Sequence, residues 1–203
     1  MKLKTIGKAL AGVALLGASQ LALAHDAGDF LFRIGGSNVD PKSNNGDIVD
    51  VDSDSSVTLT FTYMMTEHWA IDVLGAWPFE HDIELKDTGI KVGDTKHLPP
   101  TVSLQYHFLP QAEFQPYIGA GINYTFFWDE GTTGPLEGAD LSLDDSWGLA
   151  AQIGIDWMLG DTWFFNLEGR YIDIETDAFL NGEFLEKVEI DPWVYGAHIG
   201  FRF

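Results

Sequence analysis

Residues 188–203 read V-E-I-D-P-W-V-Y-G-A-H-I-G-F-R-F and alternate strictly from Pro192 onward. Trp193, Tyr195, Ala197, Ile199, Phe201 and Phe203 fall on one face, and Val194, Gly196, His198, Gly200 and Arg202 on the other. Side chains in a strand switch faces at every residue, so a bulky apolar row opposite a small or polar row separates two environments. A transmembrane strand with lipid on one side and a narrow polar interior on the other has this pattern. The same period of two marks residues 30–39, 56–65, 68–79, 97–108, 115–128, 146–159 and 162–174, and no long segment has helical spacing.

The connections alternate in length. Those at 66–67, 109–114 and 160–161 are tight, whereas those at 40–55, 80–96, 129–145 and 175–187 are long and acidic. The spacing predicts an all-β fold, an eight-stranded antiparallel up-and-down transmembrane β-barrel. Its short turns and both termini lie on the periplasmic side, and solvated acidic loops lie outside.

Tryptophan placement agrees. When each segment is given a lipid face by its apolar parity, all seven tryptophans fall on it. Trp69, Trp157 and Trp163 lie beside short turns, and Trp77, Trp128, Trp147 and Trp193 beside long loops. With Phe203 they form two interfacial belts around a band such as Val73, Leu104, Ile122, Ile153 and Leu167. A soluble barrel would turn these rings inward, where eight strands leave room for few of them. The opposite face is crowded with small residues, including Gly35, Gly119, Gly121, Gly148, Gly154, Gly196 and Gly200. Glycine weakens a strand but makes room in a tight lumen.

Topology also sorts the inward residues by height. Near the periplasm lie Gln105, His107, Asn166 and His198, with a charge plug of Arg33, Arg170 and Arg202 expected to pair with Asp72, Asp156 and Glu168. An unpaired charge is costly in a poorly hydrated interior. Toward the outside the inward face becomes apolar: Leu74, Ala76, Phe127, Ile172, Ile174, Ile190, Pro192 and Val194. These predict either a hydrophobic cup for a small apolar ligand, closed below, or an upper plug of apolar residues packed on one another, rather than an aqueous pore.

The start of the chain reads as a signal peptide over residues 1–24: Lys2, Lys4 and Lys8, an apolar middle, and Ala22-Leu23-Ala24 as the cleavage motif. One mature domain, 25–203, would then begin at His25 and reside in the outer membrane of a Gram-negative bacterium. The formal net charge of −20 argues against a nucleic-acid partner, and the absence of cysteine excludes disulfides and thiolate metal sites.

Candidate chemistry is sparse. The histidines are scattered without an H-x-x-x-H pair. Ser103 and His107 share a face, but strand residues four apart are ~13 Å apart, too far for a hydrolase pair. There is no G-x-S-x-G elbow or nucleotide fingerprint, and Asp47, Asp50, Asp52 and Asp54 lack the glycine and terminal glutamate of a calcium loop. The reading expects no catalysis, cofactor or metal.

Several motifs together resemble the OmpW family of small outer-membrane barrels. They are F-T-Y-M at 61–64, H-L-P-P-T at 97–101, P-Y-I-G-A-G-I-N-Y-T at 116–125, L-D-D-S-W-G at 143–148 and D-P-W-V at 191–194. The resemblance implies an eight-stranded barrel with a hydrophobic lumen, proposed to take up small apolar molecules. Expected partners are outer-membrane lipid, lipopolysaccharide, a small hydrophobic ligand and, through the terminal strand, the barrel-assembly machinery. Pro99, Pro100 and Pro192 lack an N–H and interrupt ladders near the outer rim, which either marks where the strands leave the membrane or permits a lateral exit from lumen to lipid. Competing readings are a surface-receptor barrel with an inert lumen and acidic interaction loops, and an enzyme acting on outer-membrane lipid.

Overall fold

The computed structural model describes residues 25–203; the signal-peptide assignment lies outside the described residues. Strand β1 (Phe30–Asp40) leads through β2 (Val49–Val51) to β3 (Asp54–Met64) and β4 (Trp69–Ala76). Next come β5 (Phe79–Leu85), β6 (Ile90–Leu98), β7 (Thr101–His107) and the long β8 (Phe114–Thr132). A 3-10 turn (Gly134–Leu136) and β9 (Leu141–Leu143) lead to β10 (Ser146–Met158) and β11 (Trp163–Ile172). The chain ends with β12 (Glu175–Leu180), β13 (Glu183–Glu189) and β14 (Trp193–Arg202).

The order β10-β11-β14-β1-β3-β4-β7-β8 returns from β8 to β10, so eight antiparallel strands close a barrel. Closure satisfies the main chain where lipid offers no partner. Phe30 and Phe203 exchange both backbone hydrogen bonds, at 2.9 and 3.0 Å, and close the seam between β1 and β14 at the rim that carries the short turns. Among the described residues no helix is long and apolar enough to cross a membrane; the strands make the crossing.

Outward parity produces an apolar coat. Trp69, Trp77, Trp147, Trp157, Trp163, Trp193 and Phe203 are exposed, and Trp128 is half-buried against Phe126. Val73, Leu104, Ile122, Ile153 and Leu167 face outward between the belts. The rings pair along each rim, Trp69 with Tyr106 at 5.0 Å below and Trp147 with Tyr124 at 4.6 Å above. An apolar girdle of this extent is at home only in a bilayer.

Inward, the glycines are spatially required. A Cβ at Gly200 would lie 2.1 Å from the Phe164 ring, at Gly154 2.3 Å from Tyr117 Cζ, and at Gly148 1.7 Å from the Asp173 carbonyl oxygen. The lumen is packed to the point where one methyl group per position decides the fit.

Two expectations are corrected. Residues 97–108 are not one strand: β6 ends at Leu98 and β7 begins at Thr101, because Pro99 and Pro100 donate no hydrogen bond and the residue before a proline is conformationally restricted. Pro192 likewise separates β13 from β14. Nor are the long connections simply solvated loops. The ladder runs on from β8 through β6 and β5 to β2, and β13-β12-β9 form a second sheet. The physical reason is again alternation: β5 buries Phe79, His81 and Ile83 while Glu80 is exposed and Asp82 half-exposed, so acidic composition conceals an apolar face.

Charged side chains tie this extension together. The Glu186 carboxylate accepts backbone N–H groups of Asp47, Ile48 and Val49 at 2.7, 3.1 and 3.2 Å, joining the first excursion to the last. Lys42 reaches across to Glu189 and Asp191, and the Glu189 carboxylate beside it raises the lysine's pKa.

Candidate functional site

The lumen is built in layers. Its floor is apolar: Leu31, Met64, Ala70, Met158 and Phe164, one side chain from each of five strands, all buried. His25 is fully buried beside it, its ring 5.6 Å from Phe164 and 5.7 Å from His107. Sequence reasoning treated His25 only as the first mature residue. Its Nε2 lies 3.3 Å from Asp156, a partner 131 residues away, so no local signal could have revealed the contact.

Above the floor lies the charged layer. Arg33 donates from Nε and Nη2 to the two Asp156 oxygens at 3.2 and 2.7 Å, and from Nη1 to Thr62 Oγ1 at 2.6 Å. Asp72 stands 3.7 Å from Arg33 and 3.3 Å from Arg170, and Arg170 also donates to Glu168 at 3.3 Å. Asn166 donates to Asp156 and to the Tyr117 hydroxyl, which donates to Glu168. His198 bridges Asn166 to Thr58. Arg33 also lies over the Tyr117 and Phe164 rings, each centroid 5.4 Å away. Five of the six expected plug residues, Arg33, Asp72, Asp156, Glu168 and Arg170, thus meet in one network.

Arg202 does not join it. Its parity is inward, but it sits on the last rung, donating to the Asp161 carbonyl at 2.5 Å and lying 3.7 Å from Asp29 at the periplasmic rim. Parity sets the face of a side chain, whereas its depth depends on where the strand ends.

The upper lumen is apolar. Phe127, Ile172, Ile174, Ile190 and Val194 are buried in one cluster with Ala76 against it, while Leu74 and Pro192 are buried outside that cluster. Of these eight expected ligand-binding residues only Phe127 and Ile190 line the open space, a cavity of about 40 Å³. The rest of its wall comes from the outer strands, among them Val49, Ile83, Val92, Leu141, Ala178 and Val188. The cavity therefore sits higher than expected, because the barrel wall continues above the membrane.

The arrangement offers little for hydrolysis. Ser103 Oγ is buried without a hydrogen-bond partner, and His107 Nε2 is 3.1 Å from Gln105 Oε1. His25, His107 and Asp156 bring potential metal-ligand atoms within 4.8 Å of one another, a cluster from distant strands that linear spacing could not expose. Both Asp156 oxygens are already held by Arg33, whose charge opposes a cation there. The cluster reads as part of the plug.

A closed eight-stranded barrel with an apolar coat, two aromatic belts and a filled lumen is a small outer-membrane β-barrel. The family model described as the OmpW family matches residues 26–203. "Outer membrane protein W" of Vibrio cholerae is 42% identical over 214 residues, covering 96% of this chain and 98% of the relative. The protein of the same name from Escherichia coli K12 is 40% identical over 216 residues, covering 100% of both. The crystal structure of the outer membrane protein OprG from Pseudomonas aeruginosa superimposes with a TM-score of 0.83 at 39% identity, over 89% of this chain and 98% of that one. The chain belongs to the OmpW family, and its place is the Gram-negative outer membrane.

Proposed function

We propose that the barrel admits small hydrophobic molecules from outside into the apolar upper chamber and releases them sideways into the membrane. The observation that carries this reading is the contrast between the two halves of the lumen. The upper half is walled by valine, isoleucine, leucine and phenylalanine, which suits an apolar guest. The lower half is filled by the buried charged network above a packed apolar floor, which opposes passage straight through to the periplasm.

The lateral route is supported by a break in the wall. Pairing of β4 with β7 ends at Leu74↔Thr101, and pairing of β5 with β6 resumes at Phe79↔His97, leaving residues 75–78 and 98–100 unpaired across that seam. Pro78, Pro99 and Pro100 lie in this gap. His97 and Phe79, stacked at 5.5 Å, stand at its upper edge, and His97 also lines the cavity.

The test compares the parent with a Phe127→Asp, Ile190→Asp variant in planar bilayers and in nanodiscs. The parent should carry no sustained ion current and should bind N-phenylnaphthylamine; the variant should lose that binding. Unchanged behaviour of the variant in both assays removes the chamber from consideration.

A further inference from the structure

The cavity lies between two sheets. Val49, Ile83 and Val92 in its wall belong to the ladder β8-β6-β5-β2, and Leu141, Ala178 and Val188 to the sheet β13-β12-β9. Along one edge the chain itself joins the sheets, since β8 runs through the 3-10 turn into β9. Along the other edge stand β2 and β13, each an end strand, and among the described residues no ladder pairs them. Near the barrel that edge is held by main-chain bonds, from Lys42 N–H to the Ile190 carbonyl at 3.0 Å and from Glu189 N–H to the Asn45 carbonyl at 2.8 Å. Beyond Asn45 the polar closure is one side chain. The Glu186 carboxylate, 8% exposed, accepts the N–H groups of Asp47 and Ile48 at Oε2 and of Val49 at Oε1. A Cβ at Gly46 would lie 2.6 Å from Oε2, so the glycine leaves the carboxylate its place.

On the solvent side of this closure lies an open groove of about 420 Å³, with Asp47, Leu185, Glu186 and the exposed Phe184 ring in its wall. Leu185 lines both the groove and the cavity, and Val49, whose N–H the carboxylate holds, also lines the cavity. We infer that the edge between β2 and β13 is the outer entrance of the chamber and that Glu186 is its latch: an apolar guest settles against Phe184 and passes Leu185 when the carboxylate releases Asp47, Ile48 and Val49. This rests on the reading of the cavity as a ligand chamber. Hydrogen bonds from backbone N–H to a carboxylate are charge-assisted, which keeps the entrance closed at rest. Release strands no charge, because the carboxylate turns into the groove it already lines and exchanges its three donors for water. Glu186 is absent from the cavity wall, so it governs how fast the chamber fills and empties, while the wall governs how tightly a guest is held.

The experiment is stopped-flow binding of N-phenylnaphthylamine to the nanodisc-embedded protein, comparing the parent with Glu186→Gln and Gly46→Ala. The first replaces an accepting oxygen by an amide that donates; the second displaces the carboxylate from the facing segment. In each variant association and dissociation should both quicken by about tenfold, the loss of one such bond, with Kd within about twofold of the parent. A second readout needs no ligand. The chain has no cysteine, so Val49→Cys places a single thiol in the chamber wall, and its labelling by N-ethylmaleimide should quicken by about tenfold when either substitution is added. An unchanged association rate, or unchanged labelling, would overturn the latch and leave the chamber standing. Failure of the parent to bind N-phenylnaphthylamine would remove the chamber, and the labelling would still decide whether this edge opens at Glu186. The two substitutions act from opposite sides of the edge, so if one prevents folding the other carries the comparison.

Discussion

Replacing Arg33 by methionine tests whether the charged layer holds the barrel as a unit. The side chain is 1% exposed and donates to both oxygens of Asp156 and to Thr62, with Thr60 and Asp72 at the edge of contact. The network contains two guanidinium groups and three carboxylates, so losing Arg33 leaves Arg170 alone among Asp72, Asp156 and Glu168. Removing one partner of a buried pair costs roughly 3–5 kcal/mol, because the other charge stays buried without compensation. Asp156 keeps His25 at 3.3 Å and Asn166 at 2.8 Å, which places the expected cost at the lower end, about 3 kcal/mol. With a urea dependence of about 2 kcal/mol per molar, the unfolding midpoint should fall by about 1.5 M. The assay is urea unfolding from lipid vesicles followed by the fluorescence of the seven tryptophans, whose outward placement reports the loss of lipid contact. In an Arg33→Met, Asp156→Leu double variant no unpaired charge remains at that pair, so its cost should be well below the sum of the two single substitutions. Strict additivity, or a single-variant shift under about 0.5 M, would refute the reasoning.

Other parts of the structure make equally direct predictions. Gly36→Ala should fold like the parent, since its Cβ meets nothing within 4 Å, whereas Gly35→Ala puts a Cβ 2.0 Å from the Ala197 carbonyl oxygen and should cost about 2 kcal/mol or more; the gel-mobility shift between folded and heat-denatured barrels separates the two. Glu186→Ala frees three backbone N–H groups and should speed amide exchange at Asp47, Ile48 and Val49 while leaving the barrel wall unchanged. His81 and His97 lie above the membrane with pKa values lowered from the ordinary 6.5 by burial, opposed for His81 by Asp52, Asp54 and Asp82. The opened state then binds more protons below 6.5, so the stability of the outer extension is fully present above that pH and declines as pH falls toward the depressed values. Exchange in β5 and β6, corrected for its intrinsic pH dependence, should be faster at about pH 5 than at about pH 7.5, and a His81→Phe, His97→Phe variant should flatten the difference.

The barrel was legible because lipid enforces one rule over whole strands. A residue such as Ile153 or Trp157 must face outward and a residue such as Gly154 inward, and no competing local preference confuses that alternation. The same parity found Arg33, Asp72, Asp156, Glu168 and Arg170. It misplaced Arg202, because parity says nothing about the height at which a lumen opens. The outer strands were missed for a different reason. In β5, with F-E-H-D-I-E-L, acidic side chains occupy the alternate positions, and the charge drew attention away from Phe79 and Ile83 between them. His25 was invisible in principle, since its meaning comes from Asp156 and His107 on strands far along the chain.

These layers constrain how a guest could travel under the proposed function. Moving straight down means displacing Arg33 from Asp156 and Thr62 and then passing the packed floor of Leu31, Met64 and Phe164. That route puts an apolar molecule among buried charges and leaves those charges unpaired, a cost of several kcal/mol with nothing to offset it. Moving sideways through residues 75–78 and 98–100 breaks no ladder pairing, because none spans that seam, and the guest enters lipid, the medium it prefers. The charged layer and the proline-marked gap therefore act together: the first closes the aqueous direction, and the second leaves the apolar direction as the one of lower resistance.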